Sequence, residues 1–207
     1  AECEDSYFER DYILYKDSNV IEGRYRVDWR DTNKVLKLAF DTGLNDPRIT
    51  SSVPYGALER DGEGREYPTG EWLDISTGER GVSIISDSIF AYDADGSVAS
   101  LSILRSPVYA HFPRGEAVKE ERDYEYMGQG RHEGAWKLVP HDGNWRDENI
   151  PERATAFNNP VITVDEANHP GERPPEVSFM EIRSRTSLGT VLKQAEDGDD
   201  LIVRLYE

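Results

Sequence analysis

The clearest pattern in the chain is an alternation of apolar and polar residues with a period of two. In the segment 20–30, the apolar side consists of Ile21, Gly23, Tyr25, Val27 and Trp29, and charged residues occupy the other side. Successive side chains of a β-strand point to opposite faces of the sheet, so this segment is predicted to be a strand with one buried and one solvated face. We expect Tyr25, Val27 and Trp29 to face the core.

Further strand-like segments follow at short spacing along the chain. They are 7–16, 34–40, 49–58, 81–90, 98–105, 134–139, 177–183, 189–196 and 201–207. Residues 31–33, Asp-Thr-Asn, are predicted to form a hairpin turn between the second and third strands. Many short strands with few, short helices indicate an all-β fold, an antiparallel β-sandwich.

The organisation of the chain predicts a single domain over residues 1–207. Two long connections, 108–132 and 142–175, are rich in proline, glycine and charged residues. Loops of that length in a compact domain are generally functional or packed against something. The sequence ends within an apolar strand, at Leu205-Tyr206-Glu207, and we expect the domain to be truncated at both ends.

Composition excludes several classes of partner. Lysine and arginine number 24 against 41 aspartate and glutamate, a net charge of −17, which argues against a nucleic-acid-binding surface. No apolar run approaches the roughly 18 to 20 residues that a membrane-spanning helix needs. The single cysteine, Cys3, provides neither an internal disulfide nor a cysteine zinc site. We expect a protein of a reducing compartment, the cytoplasm, of a prokaryote.

No residue pattern in the chain identifies a catalytic centre by itself. Glycine-rich phosphate loops and a GxSxG nucleophile elbow are absent from the sequence. The four histidines are His111, His132, His141 and His169, and their spacing does not indicate a metal site, so no metal ligand is predicted. With 41 carboxylates, a close pair is inevitable and is not diagnostic of a glycosidase.

Four motifs are nonetheless unusual. The first is Val53-Pro54-Tyr55-Gly56 followed by Arg60, and the second is Glu66-Tyr67-Pro68 followed by Trp72-Leu73-Asp74-Ile75-Ser76. The third runs from Ser86-Asp87-Ser88 through Tyr92-Asp93 to Leu104-Arg105-Ser106-Pro107. The fourth combines Gln129-Gly130-Arg131-His132, Pro140-His141-Asp142-Gly143-Asn144-Trp145 and Asn158-Asn159-Pro160. In this order and spacing, they resemble the C-terminal β-domain of the family 38 glycoside hydrolases, the α-mannosidases.

The resemblance implies a fold and a role. It implies a β-supersandwich of the galactose-mutarotase-like type. In this family, an N-terminal domain carries the zinc ion, the nucleophilic aspartate and the acid/base aspartate, so this segment should contain no catalytic residue, cofactor or metal of its own. It would serve as structural support and as part of the active-site wall of a retaining enzyme that acts on mannosides. Its partners would be the rest of the enzyme chain and further copies of itself; the alternatives are an independent carbohydrate-binding module and an oligomerisation domain.

Three residues are candidate substrate contacts under this resemblance. Arg60 is expected to donate hydrogen bonds to sugar hydroxyls or catalytic carboxylates, the alternative being a surface ion pair with Glu59 or Asp61. Trp72 is either a platform for sugar stacking or a core tryptophan, and Tyr55 is the third candidate.

Three further residues of the motifs are expected to have structural roles. Asp74 should cap the turn that follows Ser76, and Gly56 should occupy a positive-φ position. His141, like His132, should donate hydrogen bonds to loop carbonyls.

Overall fold

The computed structural model describes residues 5–109, 124–184 and 187–207, so Cys3, His111 and most of the predicted loop 108–132 lie outside the described residues. The strands are β1 (Tyr7–Leu14), β2 (Ile21–Trp29), β3 (Val35–Asp41), β4 (Arg48–Val53), β5 (Gly56–Arg60), β6 (Glu63–Pro68), β7 (Trp72–Ser76), β8 (Arg80–Ser86), β9 (Ala91–Asp95), β10 (Val98–Arg105), β11 (Gly130–Asp142), β12 (Leu188–Gln194) and β13 (Leu201–Tyr206). The helix α1 (Ile150–Asn158) is short. No helix in the described ranges is long and apolar enough to cross a membrane.

The described chain divides into two compact units, and the first comprises residues 1–53 and 57–160. It contains a seven-stranded sheet in the order β1-β2-β11-β8-β7-β4-β5 and a four-stranded sheet in the order β3-β10-β9-β6. The paired strands are antiparallel. One apolar core draws on both sheets, with Ile84 and Trp136 from the larger and Leu38, Tyr92 and Leu101 from the smaller. The all-β sandwich prediction is confirmed.

Strand β2 follows the predicted alternation. Tyr25, Val27 and Trp29 are all buried, whereas Arg24 and Arg26 between them are exposed. The prediction that these three aromatic and aliphatic residues face the core is therefore confirmed. Burial of each such side chain contributes roughly 1.5 to 3 kcal/mol to folding.

A second apolar cluster covers part of the large sheet. It consists of Trp72, Ile85, Val139, Ile150 and Ala154, with α1 packed against β7 and β8. Helix α1 lies inside the predicted loop 142–175, so that stretch is not entirely loop. A proline at the first turn, Pro151, is compatible with a helix start because its missing N–H would have no partner there.

The predicted hairpin at residues 31–33 is wrong. Strand β2 pairs with β1 and β11, whereas β3 pairs with β10 in the other sheet, so the connection carries the chain from one sheet to the other. Asp31 is buried in this connection, and the backbone of Asn33 donates a hydrogen bond to the carbonyl of Ser106 at 2.8 Å. Short spacing between two strands thus indicated a turn but not which strands pair.

Two predicted strands also differ from the structure. Segment 49–58 is interrupted at Pro54 and Tyr55, giving β4 and β5, because Tyr55 has a φ of 63° that no strand accommodates. Segment 177–183 forms no strand. Its apolar residues Val177 and Phe179 are exposed, and no strand within the described residues pairs with it.

The second compact unit consists of residues 54–56 and 161–207. Its regular structure is the hairpin of β12 and β13, in which Gln194 pairs with Leu201. The backbone N–H of Ala195 donates to the carbonyl of Asp200 at 2.8 Å and closes the acidic turn. This hairpin is the one predicted for the tail, while the single domain over 1–207 stays a prediction.

Candidate functional site

Arg60 lies where the chain crosses between the two sheets of the sandwich. It ends β5, the edge strand of the large sheet, and the chain then passes through Asp61 and Gly62 to β6, the edge strand of the small sheet. The guanidinium carbon of Arg60 lies 5.0 Å from the ring centroid of Tyr67 on β6. This distance is within the range of a cation–π contact, so an aromatic face rather than a carboxylate holds the guanidinium.

The charge of Arg60 is not paired within the described chain. No ion pair joins it to Glu59 or Asp61, so the surface pairing weighed from the sequence is not formed by the described residues. Asp61 instead accepts a hydrogen bond from the Tyr67 hydroxyl at 2.8 Å and lies 3.7 Å from Arg65. The Nε of Arg60 is buried and has no hydrogen-bond partner among the residues described.

Two buried hydroxyls lie in the same region, since Tyr92 senses the charge of Arg60 and is close to Ser51. Ser51 on β4 and Tyr92 on β9 have no exposed surface, and neither hydroxyl makes a hydrogen bond of normal geometry to a described residue. Burial raises the pKa of Tyr92, while the nearby Ser51 hydroxyl and the positive charge of Arg60 act in the opposite direction. Ser51, Arg60, Tyr67 and Tyr92 are called the arginine cluster below. Its unpaired polar atoms are unusual for a protein interior.

Tyr55 belongs to the second compact unit. It has the left-handed backbone conformation that was expected of Gly56, which is not among the positive-φ residues. Its ring is 55% exposed and makes an edge contact with Tyr206, with ring centroids 5.8 Å apart. Its role in substrate binding stays a prediction.

Trp72 is a core residue. Its side chain is 5% exposed and packs against Trp145, with ring centroids 4.7 Å apart, in the cluster beneath α1. Trp72 therefore has the surroundings of a core tryptophan, the second of the two interpretations of its sequence motif. A ring covered in this way has no free face on which a sugar could stack. The position of Trp72 therefore argues against substrate binding, which stays a prediction.

A buried polar group on the same sheet face was not predicted from the sequence. The carboxylate of Asp74 accepts hydrogen bonds from the Ser76 hydroxyl at 2.7 Å, the Ser83 hydroxyl at 2.6 Å and Nε2 of His141 at 2.8 Å. The side chains of Asp74 and His141 have no exposed surface. These four residues are called the histidine cluster below. Asp74 does contact Ser76, as expected of a capping residue, but its main feature is the buried pair with His141.

The strand register builds the histidine cluster. Ser76, Gly81 and His141 lie directly opposite one another on β7, β8 and β11. A Cβ atom on Gly81 would stand 2.6 Å from Cε1 of His141, closer than real Cβ contacts allow. Because Gly81 has no side chain, the imidazole of His141 can lie across β8 and reach Asp74.

The ionisation of His141 follows from these contacts. Burial alone lowers the pKa of His141, but the hydrogen bond and the charge of Asp74 outweigh it, so that the pKa of His141 lies above its ordinary value of 6.5. In the protonated ring, Nε2 donates to Asp74 and Nδ1 donates to the carbonyl of Asp142 at 3.4 Å. All donors are thus satisfied inside the protein, which fits a structural cluster better than a reactive one.

The remaining described histidines make local contacts. Nε2 of His132 bonds to the carbonyl of Gly128 at 2.8 Å, which is the loop-organising role expected for it. His169 is exposed and pairs with Glu166. Over the described ranges, no group of three or more histidine, cysteine, aspartate or glutamate side chains could hold a metal ion.

Comparison with known families decides the identity of the fold. Residues 2–114, more than half of the chain, match the family model of the glycosyl hydrolases family 38 C-terminal domain. The chain belongs to glycosyl hydrolase family 38.

Relatives of this family 38 chain include enzymes of several eukaryotes. It is 28% identical over 195 residues to Alpha-mannosidase 2C1 of Homo sapiens, an alignment that covers 87% of this chain and 17% of the human protein. It is 24% identical over 204 residues to Alpha-mannosidase G of Dictyostelium discoideum, covering 94% of this chain and 18% of that protein. The chain thus spans less than a fifth of the length of these curated relatives.

Solved structures show the same fold. A protein in glycosyl hydrolase family 38 from Enterococcus faecalis superposes with a TM-score of 0.77 at 18% identity, covering 96% of this chain and 23% of that one. An alpha-mannosidase from Enterococcus faecalis V583 gives a TM-score of 0.72 at 14% identity, with the same coverage. At these identities the likeness establishes the fold of the family 38 domain and nothing finer.

The family motifs meet in two places in this family 38 domain. The second motif contacts the fourth twice, through Trp72 with Trp145 and through Asp74 with His141. These contacts join residues about 70 positions apart on one face of the large sheet; Trp72, Asp74 and His141 are buried, and Trp145 is partly buried. Arg60 of the first motif is half-buried and lies apart from them, at the edge. The Trp72–Trp145 and Asp74–His141 contacts pack the domain together. Arg60, in contrast, is a cation that no carboxylate of the described residues pairs with.

Proposed function

We propose that this chain is the non-catalytic C-terminal β-sandwich portion of an α-mannosidase, a glycosidase of which it forms structural support and part of the active-site wall. The names of the relatives and the family model support the coarse assignment. The contribution to the active site is supported by one observation: the guanidinium of Arg60 is unpaired among the described residues and is held on the face of Tyr67.

The catalytic groups would lie outside this chain. A retaining glycosidase uses two carboxyl groups roughly 5 Å apart, one as nucleophile and one as acid and base. The described residues do not provide a metal site, so a zinc ion would be held by the rest of the enzyme. The partners in this proposal are that remaining polypeptide and a mannoside substrate, with a homo-oligomer as a further expectation. The cytoplasm remains the proposed compartment on the basis of the single cysteine.

Arg60 would act through its in-plane donors. A guanidinium presents five N–H groups in a rigid fork that suits hydroxyls and carboxylates. Contact with an aromatic face does not use up the N–H donors of the terminal guanidinium nitrogens, whereas an ion pair would occupy them. Arg60 can therefore bind sugar hydroxyls or a catalytic carboxylate without first losing a partner.

The test is Arg60→Lys in the full-length enzyme. Lysine keeps the charge but loses the planar fork, so kcat/KM on an aryl α-mannoside should fall about ten- to two-hundred-fold, equivalent to a lost bond of roughly 1.5 to 3 kcal/mol. The stability of the protein should change by less than about 0.5 kcal/mol.

The matched control is Arg10→Lys, because Arg10 is an exposed arginine on β1, at the opposite edge of the large sheet, whose guanidinium carbon likewise lies over an aromatic ring, 5.4 Å from the centroid of Tyr12. It should leave kcat/KM unchanged. Wild-type turnover by Arg60→Lys would remove Arg60 from the active site. That result would favour the alternatives, a carbohydrate-binding module or an oligomerisation domain, since neither requires Arg60 for catalysis.

A further inference from the structure

We propose that Tyr67 is a positioning residue for Arg60: its ring, held by Asp61, fixes the guanidinium in the orientation in which it meets the substrate. This inference rests on the proposed function of Arg60 and adds to it a second residue and a mechanism. Tyr67 stands in the second motif, immediately before Pro68, but the motif itself assigns no role to it.

The ring of Tyr67 is the contact that holds Arg60. The guanidinium carbon lies 5.0 Å from the ring centroid, and no hydrogen bond or ion pair to a described residue fixes the arginine head group. The carboxylates of Asp61 and Glu63, which lie between Arg60 and Tyr67 in the sequence, both interact with Arg65 instead. Arg65 lies 3.2 Å from Glu63 and 3.7 Å from Asp61. Loss of the ring would remove the aromatic contact that orients the Arg60 head group.

The ring itself is fixed from two directions. Its hydroxyl donates to Asp61 Oδ2 at 2.8 Å, and this bond raises the pKa of Tyr67, which keeps the hydroxyl protonated as a donor. On the neighbouring strand, Tyr67 lies directly opposite Tyr92, with ring centroids 6.2 Å apart. Tyr92 is fully buried in the core. The platform under Arg60 is therefore anchored to the sandwich interior.

The chemistry explains why an aromatic ring suits this task. A cation–π contact acts on the face of the guanidinium and leaves its in-plane N–H donors available. A carboxylate partner would orient the arginine equally well but would compete with the substrate for the same donors. The arrangement orders a cation in advance of binding, which lowers the entropy that the enzyme must lose when the substrate arrives.

The experiment uses the full-length enzyme and an aryl α-mannoside. Tyr67→Leu should lower kcat/KM about tenfold because the ring is lost, and Tyr67→Phe, which keeps the ring, should stay within about threefold of the wild type. In an Arg60→Met background, Tyr67→Leu should produce no further loss. Such non-additivity is the signature of two residues acting through one contact.

A second pair of variants avoids any loss of folding caused by Tyr67→Leu. Asp61→Ala frees the Tyr67 hydroxyl and should lower kcat/KM about two- to fivefold, again only when Arg60 is present. Glu63→Ala is its matched control, because Glu63 pairs with the same Arg65 but does not contact Tyr67. It should leave kcat/KM unchanged.

The outcomes separate this inference from the proposed function. If Arg60→Met lowers kcat/KM while Tyr67→Leu and Asp61→Ala do not, Arg60 acts in the site but Tyr67 does not position it. Equal losses from Tyr67→Leu with and without Arg60 would show a general structural role and also overturn the inference. Wild-type turnover by Arg60→Met would overturn the proposed function, and this inference with it.

Discussion

The histidine cluster and the arginine cluster contain polar side chains on opposite faces of the same large sheet. Asp74 and Ser83 lie on the face that α1 covers, whereas Ser51, opposite Leu73 in the register, lies on the face that meets the small sheet. In the histidine cluster, the Asp74 carboxylate and the His141 imidazole find all their hydrogen-bond partners within the described chain. In the arginine cluster, the Ser51 and Tyr92 hydroxyls and the Arg60 Nε make no hydrogen bond of normal geometry to a described residue.

This difference distinguishes polar groups that stabilise the fold from polar groups that could still bind a partner. A fully satisfied buried network rigidifies the fold, because loss of any member leaves another member unpaired. A buried group without a good hydrogen bond already carries its desolvation cost in the folded domain, so its removal should cost little stability. The two clusters should therefore respond to substitution in opposite ways.

The largest expected effect is that of Asp74→Ala. Removing this carboxylate leaves a buried His141 and two serine hydroxyls without their acceptor, so the free energy of unfolding should fall by about 3 to 5 kcal/mol. Urea denaturation measures the change. Asp142→Ala is the matched control, because the side chain of Asp142 is exposed on the adjacent strand end and should cost less than about 0.5 kcal/mol. A loss below 1 kcal/mol for Asp74→Ala would show that the histidine cluster is not a structural network.

A pair of serine substitutions sharpens the comparison. Ser83 and Ser51 are both fully buried in the large sheet, but only Ser83 bonds to a carboxylate, Asp74, at 2.6 Å. Ser83→Ala should therefore lower the free energy of unfolding by about 1.5 to 3 kcal/mol, whereas Ser51→Ala should change it by less than about 0.5 kcal/mol. Comparable losses at both positions would mean that Ser51 has a partner in the folded protein and that the contrast between the clusters is wrong.

Much of the fold could be predicted from the sequence because strand alternation is a local signal. Strand β2 and the β12–β13 hairpin agree with their predictions to within a few residues. The pairing of β3 with β10 could not be predicted, because partners in a sheet are set by contacts between residues about 60 positions apart, which no short segment encodes. Helix α1 had a signal, Pro151 followed by apolar residues at helical spacing, that its surrounding polar loop obscured.

The candidate site was predictable in part. The family motifs singled out Arg60 and Trp72, but burial decides between binding and packing for each of them, and burial is a property of the assembled sheets. The link between Asp74 and His141 depends on the register of three strands and on Gly81, none of which a linear motif contains. Tyr67 stands in the second motif, but its role depends on a contact with Arg60 that the assembled sheets create and that the motif does not encode.

The smallest expected effect is the pH dependence of stability that His141 contributes. Because Asp74 holds the pKa of folded His141 above 6.5, the protonated ring is favoured in the folded state. Its contribution to stability is fully present below pH 6.5 and is lost as the pH rises through the folded pKa. Each unit of pKa difference corresponds to about 1.4 kcal/mol. The free energy of unfolding should accordingly decline from pH 6.5 upward, and His141→Gln should remove that decline.

The control for this titration is His169→Gln. The pKa of His169 is also raised, by the carbonyl of Pro170 and by Glu166, but this histidine is fully exposed and its interactions are screened by salt. At high ionic strength, His169→Gln should leave the pH dependence intact. A decline that survives in His141→Gln would assign the titration to other groups. The histidine cluster would then be a satisfied network whose charge state does not change on unfolding, and its difference from the arginine cluster would rest on hydrogen bonds alone.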